Sequence, residues 1–424
     1  MGLTDRLHEL RTGFHRTFWV ANGMELFERL AYYGQGTILS IFLRDHLHFS
    51  ELEAGKISSV FGGLIYFLPI FAGTLADKFG FRRAFSFAFF VLAIGYFLIG
   101  STGMSAFSGI YSGLPVFWIL IFYAIFTAIG GSFIKPSVLG TVAVTSKPHT
   151  KSVGYAVYYW LVNIGALLGP VIANLVRKNI GIEFVYVVSA VSCAAMLVVN
   201  ILFYREVKDE AGEVIETVMT KLKNMVVVLT NVRFMIFLLI FSLYWIMFWS
   251  GFYIVLPFFI TDHIDRNANF ELVLSVGAAG IILLQLPVNL LTKGLSSKSA
   301  ILVGFAVSSL CFVVAALTGS IWVIALGILL WSIGEMIQAP RYYEYISTLA
   351  PRGQQALFQG YAFLPIAIAW LVGGWFGGEL YTTYGKNAAN PATVWWIFFG
   401  IGAVATFLMG LYNKFVSLHE VPSP

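Results

Sequence analysis

Charge is what this sequence lacks. Only 11% of its 424 residues are Asp, Glu, Lys or Arg, against 58% hydrophobic, and the mean hydropathy is +0.82. A water-soluble chain carries roughly 25% charged residues, so a soluble globular fold is excluded and an all-α polytopic membrane protein is implied. Cysteine is scarcer still. Cys193 and Cys311 both fall in apolar runs, which argues against a disulfide framework or a thiolate metal site and leaves small thiols packed among helices. The seven histidines (His8, His15, His46, His48, His149, His263 and His419) lie outside the expected spans. No His-Glu-x-x-His, phosphate-loop or Ser-His-Asp pattern is present, so neither an enzyme nor a metal or organic cofactor is expected.

What remains is a series of apolar runs broken by turns. Length and turn residues place twelve spans near 17–43, 54–76, 84–102, 115–143, 152–176, 181–204, 233–261, 270–292, 299–317, 320–349, 354–381 and 393–416. The longest polar stretch lies midway, so the expected organisation is a bundle over 1–204, a linker over 205–232 and a second bundle over 233–424. The linker is expected to be partly helical and amphipathic near 218–228. Of the 26 Lys and Arg, 17 fall on the side of the two termini and six on the other. The positive-inside rule then puts both termini in the cytoplasm, with the chain multi-pass in the cell membrane. That division also accounts for the net charge of +5 without a nucleic-acid partner. No cleavable signal precedes the first span, which is expected to act as its own insertion signal.

Against this background a few charges stand out. Glu25, Glu28 and Arg29 lie in the middle of the first span, and Tyr32 shares their helical face. Each charge at a bilayer centre costs on the order of 2.5–3.5 kcal/mol, so such groups face the bundle interior, pair, and mark a path for substrate or ions. The bland alternative is a lock that neutralises Arg29, but three ionisable groups in five residues exceed what a lock needs. Lys135, the only charge of the fourth span, stands before Pro136 and needs a carboxylate, for which Glu25 and Glu28 are the candidates; the alternative is snorkelling to the membrane edge. Gly130 and Gly131 are expected to permit that approach. In the tenth span Glu335 restores a charge, and Arg341 is expected either to pair with Glu344 or to capture Glu335.

The run Glu25-Leu26-Phe27-Glu28-Arg29-Leu30-Ala31-Tyr32-Tyr33-Gly34 resembles the first-helix signature of the proton-dependent oligopeptide transporters, a branch of the major facilitator superfamily. Three more segments carry the resemblance: Gly73 to Arg83, similar to the superfamily loop motif; Tyr158-Tyr159-Trp160-Leu161-Val162-Asn163-Ile164-Gly165; and Gly334-Glu335-Met336-Ile337-Gln338-Ala339-Pro340. The resemblance implies a major facilitator fold of twelve helices in two six-helix bundles, without the two extra helices that bacterial peptide transporters often carry. It implies proton-coupled import of di- or tripeptides by alternating access, with protons as the coupling ion.

Proton coupling would fall to Glu25, Glu28, Arg29 and Lys135. Substrate would meet Arg29, Tyr32, Tyr33, Tyr66, Lys135, Asn163, Trp245 and Glu335, with Glu335 on the peptide amino terminus and Arg29 and Lys135 on its carboxylate. Taken alone, a Tyr such as Tyr66 in a membrane helix is more often an interface or packing residue. The pattern fails in the seventh span, where Trp249-Ser250 replace the family's Glu-Gln, and in the eighth, where Ala278 stands for an Asn and Gln285 offers the nearest amide. Trp249 and Gly169-Pro170 keep a second reading open, a proton-coupled exporter of amphipathic small molecules. The expected partners are the small-molecule substrate and the lipid bilayer, with the chain working as a monomer.

Overall fold

The computed structural model describes residues 13–147, 150–207, 220, 223, 228–349 and 355–415. Most of the expected linker, with its amphipathic stretch, lies outside them. The described residues form twelve helical rods, six on either side of that linker. The first six are α1 (Arg16–Ile41), α2 (Glu51–Phe67 and Pro69–Phe79), α3 (Phe81–Ser101), α4 (Val116–Ser132 and Ile134–Thr145), α5 (Lys151–Asn179) and α6 (Phe184–Phe203). The second six are α7 (Val232–Ser250, continuing as Leu256–His263), α8 (Phe270–Thr292), α9 (Ser297–Ala316), α10 (Ile321–Leu349), α11 (Leu364–Tyr381) and α12 (Thr393–Phe415). Ten of them are long and apolar enough to cross a membrane, and the bent α2 makes eleven. α1 is the twelfth. At 26 residues it spans about 39 Å, and what sets it apart is the charge in its middle.

Three rods expected to be continuous are interrupted: α2 and α4 at prolines, and the span expected over 354–381 by a turn at 361–363 between Gln355–Gly360 and α11. Pro69 lacks the N–H that would bond to Ile65, and α2 bends by 46° there. Pro136 likewise cannot bond to Ser132, and α4 breaks at Phe133, two residues before Lys135 and three before Pro136. The start of α2 lies three residues ahead of the expected span because Ser50 and Glu53 form a capping box: Glu53 N donates to Ser50 Oγ (3.2 Å) and Ser50 N to Glu53 Oε2 (2.9 Å). Cys193 and Cys311 are free and buried, as the sequence indicates.

Small residues set the close contacts. A Cβ on Gly169 would meet the backbone of Leu30 and Gly34, and one on Gly165 would strike Arg29, so α5 lies directly against the charged stretch of α1. Gly130 and Gly131 act elsewhere than expected. They face Val91 of α3 and Ile65 of α2, and bring those helices, not α1, against α4. Between the halves, Gly374 and Gly378 of α11 lie on the backbone of α2 at Gly55 and Glu51, and Trp370 fills the slot that Gly62 leaves open. Without side chains between them these helices meet backbone to backbone.

The two ends of the described chain lie at one face of the bundle, the termini face. Phe14 bridges to Ser146 at the end of α4, and Tyr412 donates to Arg233 O at the start of α7. At the opposite, distal face three ion pairs join the two halves. Arg44 reaches Asp262 (2.7 Å), Lys386 reaches Glu51 (2.7 Å), and Arg177 pairs with the fully buried Glu271. Asn174 adds bonds to Glu271 (3.0 Å) and to Asn269 (2.9 Å). Together these contacts shut the distal face.

Candidate functional site

The charged face of α1 is closed off from water. Glu25 and Glu28 are 0% exposed and Arg29 3%. Arg29 Nη2 lies 2.5 Å from Glu28 Oε2, its Nε lies 3.2 Å from Glu25 Oε1, and its guanidinium stacks over the Tyr32 ring at 4.9 Å. One cation thus holds two carboxylates. Glu28 Oε1 and both Glu25 oxygens still lack a hydrogen-bond donor, a costly state for buried carboxylates.

Lys135 departs from expectation. It finds no carboxylate within ion-pair distance among the described residues, because Arg29 occupies both. Its Nζ lies instead over the rings of Tyr66 (4.9 Å) and Phe363 (4.5 Å), within the electrostatic field of Glu25, Glu28 and Arg29. Aromatic faces stabilise a desolvated ammonium by about 2 kcal/mol, which offsets part of its burial. The α4 break places it here, and Phe363 belongs to the second half.

Across the midline Glu335 of α10 is half-buried and has no ion-pair partner among the described residues. Arg341 turns away from it to Glu344 (2.7 Å), the first of the two outcomes expected. Glu335 is within electrostatic reach of Tyr33, Tyr159, Tyr244, Tyr253 and Tyr343, and Tyr33 in turn reaches Arg29. Tyr33 is thus in the field of both Glu335 and the α1 cluster, and the region it occupies between them is termed the vestibule. Tyr159 is 46% exposed and Tyr343 41%, each in the half of its helix nearer the termini face.

The remaining expected residues surround it. Tyr66 is buried and Trp245 half-buried. Asn163, 8% exposed, donates back to Tyr159 O (2.9 Å), which leaves its carbonyl as the freer group. Gln285 lies apart from the cluster. Its amide donates to Asn289 Oδ1 (3.1 Å) and spans to the α10 backbone at Met336 O (3.5 Å), so it braces α8 against α10. Ala278 is buried in α8.

Trp249 fills its position with aromatic packing. Its ring centroid lies 4.5 Å from that of Trp370, 4.8 Å from Tyr253, 4.7 Å from Phe248 and 5.9 Å from Tyr66. Trp370, Tyr253 and Phe248 are members that sequence reasoning missed. A signal existed for Tyr253, four residues after Trp249 and eight after Trp245 on the same helical stripe. Among the described residues no group of three His, Cys, Asp or Glu side chains is placed to hold a metal ion.

The family model for the Major Facilitator Superfamily matches residues 24–362, four-fifths of the chain. The chain belongs to the Major Facilitator Superfamily. It is similar to dipeptide and tripeptide permease B of Salmonella typhimurium, at 25% identity over 91% of each chain. It is also similar to dipeptide and tripeptide permease A of Pectobacterium carotovorum, at 29% identity over 51% of this chain but only 41% of that permease's length. Its fold matches the crystal structure of a POT family transporter in complex with a thioalcohol-conjugated peptide, with a TM-score of 0.75 and 19% identity over 94% of this chain and 96% of that one. The resemblance read from the α1 signature is borne out. So is the major facilitator fold of twelve helices in two six-helix bundles, in a multi-pass membrane protein that is not an enzyme.

Proposed function

We propose that this chain is a proton-coupled symporter that imports di- and tripeptides, or molecules shaped like them, through the inner membrane by alternating access. The halves over 1–204 and 233–424 rock against each other, joined by the 205–232 linker, in a monomer whose two termini are cytoplasmic. In that orientation the distal face is the outside, and the vestibule is open to the cytoplasm. Protons are the coupling ion, carried by Glu25, Glu28, Arg29 and Lys135.

One observation carries the reading: the second half presents the carboxylate of Glu335, which has no ion-pair partner among the described residues, and Tyr33 lies both in its field and in that of the cation Arg29 of the first half. Such a pair of poles suits a zwitterion, whose amino terminus meets Glu335 and whose carboxylate meets Arg29 or Lys135. Tyr32, Tyr33, Tyr66, Asn163 and Trp245 line the way between. A proton on Glu28 weakens its hold on Arg29 and frees cationic charge for the substrate, and release inside lets the ion pairs form again.

The test is uptake of labelled dialanine into proteoliposomes under an imposed inward proton gradient. Import is expected to rise with the gradient, whereas an exporter of amphipathic compounds would not respond. Glu335→Gln is expected to raise the half-saturating dialanine concentration by roughly 10–100-fold, about 1.4–2.8 kcal/mol. It should leave competition by N-acetylated dialanine, which has no ammonium to lose, within about threefold. Equal effects on both ligands would remove Glu335 from the amino-terminal subsite.

A further inference from the structure

Glu28 has a second side. Toward the vestibule it holds Arg29 and lies in the field of Glu25 and Lys135; toward the interior of the first bundle it faces Tyr96 of α3 and Cys193 of α6, with Tyr33 and Tyr158 also in its field. Tyr96 and Tyr186 are each 0% exposed, so neither belongs to the vestibule, and Tyr186 lies within the field of Tyr96. Glu28 Oε1, Tyr96 Oη and Tyr186 Oη are all buried with no hydrogen-bond partner. Three stranded oxygens in succession, from the middle of α1 toward the distal ends of α3 and α6, are not what packing alone requires. A phenylalanine at either tyrosine would fill nearly the same volume without the desolvated hydroxyl.

The succession continues to the distal surface. The Tyr186 ring packs on Phe42 (4.8 Å), and Phe42 stacks on His46 (5.5 Å) at the end of α1. His46 Nε2 donates to Gly103 O (2.8 Å) and lies 3.7 Å from Glu183 Oε2. Glycines hold these pieces together: a Cβ on Gly100 would meet the Tyr186 side chain at 2.7 Å, and one on Gly103 would meet the His46 ring at 2.7 Å. The side chains along a helix tilt toward its N-terminus. That tilt aims Tyr96 of α3 toward mid-membrane and Tyr186 of α6 toward the distal face, so the two extend the line in opposite directions.

We propose that protons reach Glu28 through the interior of the first bundle, entering at His46 and Glu183 and passing the hydroxyls of Tyr186 and Tyr96, on a route separate from the substrate vestibule. The imidazole or the Glu183 carboxylate takes a proton from water and gives it to the Tyr186 oxygen. In the same concerted relay Tyr186 releases its own proton through bridging water to the Tyr96 oxygen, and Tyr96 releases its own to Glu28 Oε1. Each hydroxyl ends with one proton, as it began, and no electrons move. The entry end lies outside the three distal ion pairs, so Glu28 can be charged while the distal face is shut to substrate.

This route rests on the proton-coupled reading above, and its test separates the two. Tyr96→Phe and Tyr186→Phe are placed in proteoliposomes, and two rates are measured: gradient-driven dialanine uptake, and dialanine counterflow at equal pH, which needs no net proton entry. The expected result is a tenfold or greater loss of driven uptake in each variant, with counterflow within twofold of the parent. Driven uptake within twofold of the parent in both variants would overturn the route and leave the coupled reading standing. Loss of uptake and counterflow together in both variants would assign the tyrosines to packing and overturn it too. A parent protein that shows counterflow but no response to the gradient would remove the coupled reading, and the route with it.

Discussion

Glu28→Gln should abolish accumulation while leaving exchange. One proton entering down 100 mV contributes about 2.3 kcal/mol, enough for roughly 50-fold accumulation of a neutral zwitterion. In the parent, Glu25 and Glu28 share the Arg29 guanidinium, and Lys135 lies in their field. Two carboxylates and two cations balance. A proton on Glu28 tips the balance to one free positive charge, which a substrate carboxylate can take. Glutamine has nearly the same shape and fixes the site in the neutral-Glu28 state, so the vestibule can bind and exchange substrate but no longer senses the gradient. The measurement is steady-state dialanine accumulation in proteoliposomes with a potassium-diffusion potential, beside counterflow. Accumulation is expected to fall to the equilibrium ratio, with counterflow within about fivefold of the parent, a change of roughly 1 kcal/mol. Undiminished accumulation would move the coupling proton to another group.

Arg177→Met should open the distal face. Glu271 is 0% exposed and depends on Arg177 for its counter-charge, with Asn174 giving one further bond. Removing one member of a buried pair costs about 3–5 kcal/mol, because the partner remains desolvated and unpaired. The distal-open state hydrates Glu271 and escapes that cost, so the equilibrium moves toward it by nearly the whole amount. A shift of about 5.5 kcal/mol turns a 1:99 mixture into 99:1, so 3–5 kcal/mol suffices to make a minor open state prominent. Spin labels on Ile180→Cys and Leu317→Cys, both exposed at distal turns of opposite halves, would report the change, and the two native thiols are buried and out of reach of the label. The expected result is a longer distance population in the Arg177→Met background that is minor or absent in the parent. An unchanged distribution would show that Arg44–Asp262 and Lys386–Glu51 hold the face by themselves.

How far these features were legible in the sequence depended on how local their causes are. The α1 cluster was legible because its members are three to seven residues apart on one helix, and helical geometry alone puts them on one face. The fold followed from apolar run lengths and an even span count. The capping box at Ser50 and the proline breaks at Leu68 and Phe133 are local too, and the residues for them were in plain view. What could not be read were partners distant in sequence. Arg177 and Glu271 are 94 positions apart and Arg44 and Asp262 are 218 apart, and nothing along the chain selects one acidic residue over another. The Lys135 expectation failed for the same reason: charge balance predicted a carboxylate, but the bidentate reach of Arg29 had already claimed both, leaving aromatic faces from α2 and from the turn before α11. The glycines were recognised as sites of close approach, while the helix each would approach was set by tertiary packing.

The indoles of Trp249 and Trp370 face each other at 4.5 Å where α7 meets α11, and Trp370 also fills the gap over Gly62 of α2. In the proposed cycle, rocking of one half against the other would draw that ring out of its slot. The proposed cycle would therefore give the protein its own optical reporter: two of its eleven tryptophans would change surroundings at each turnover, and their ultraviolet emission would time an unlabelled molecule.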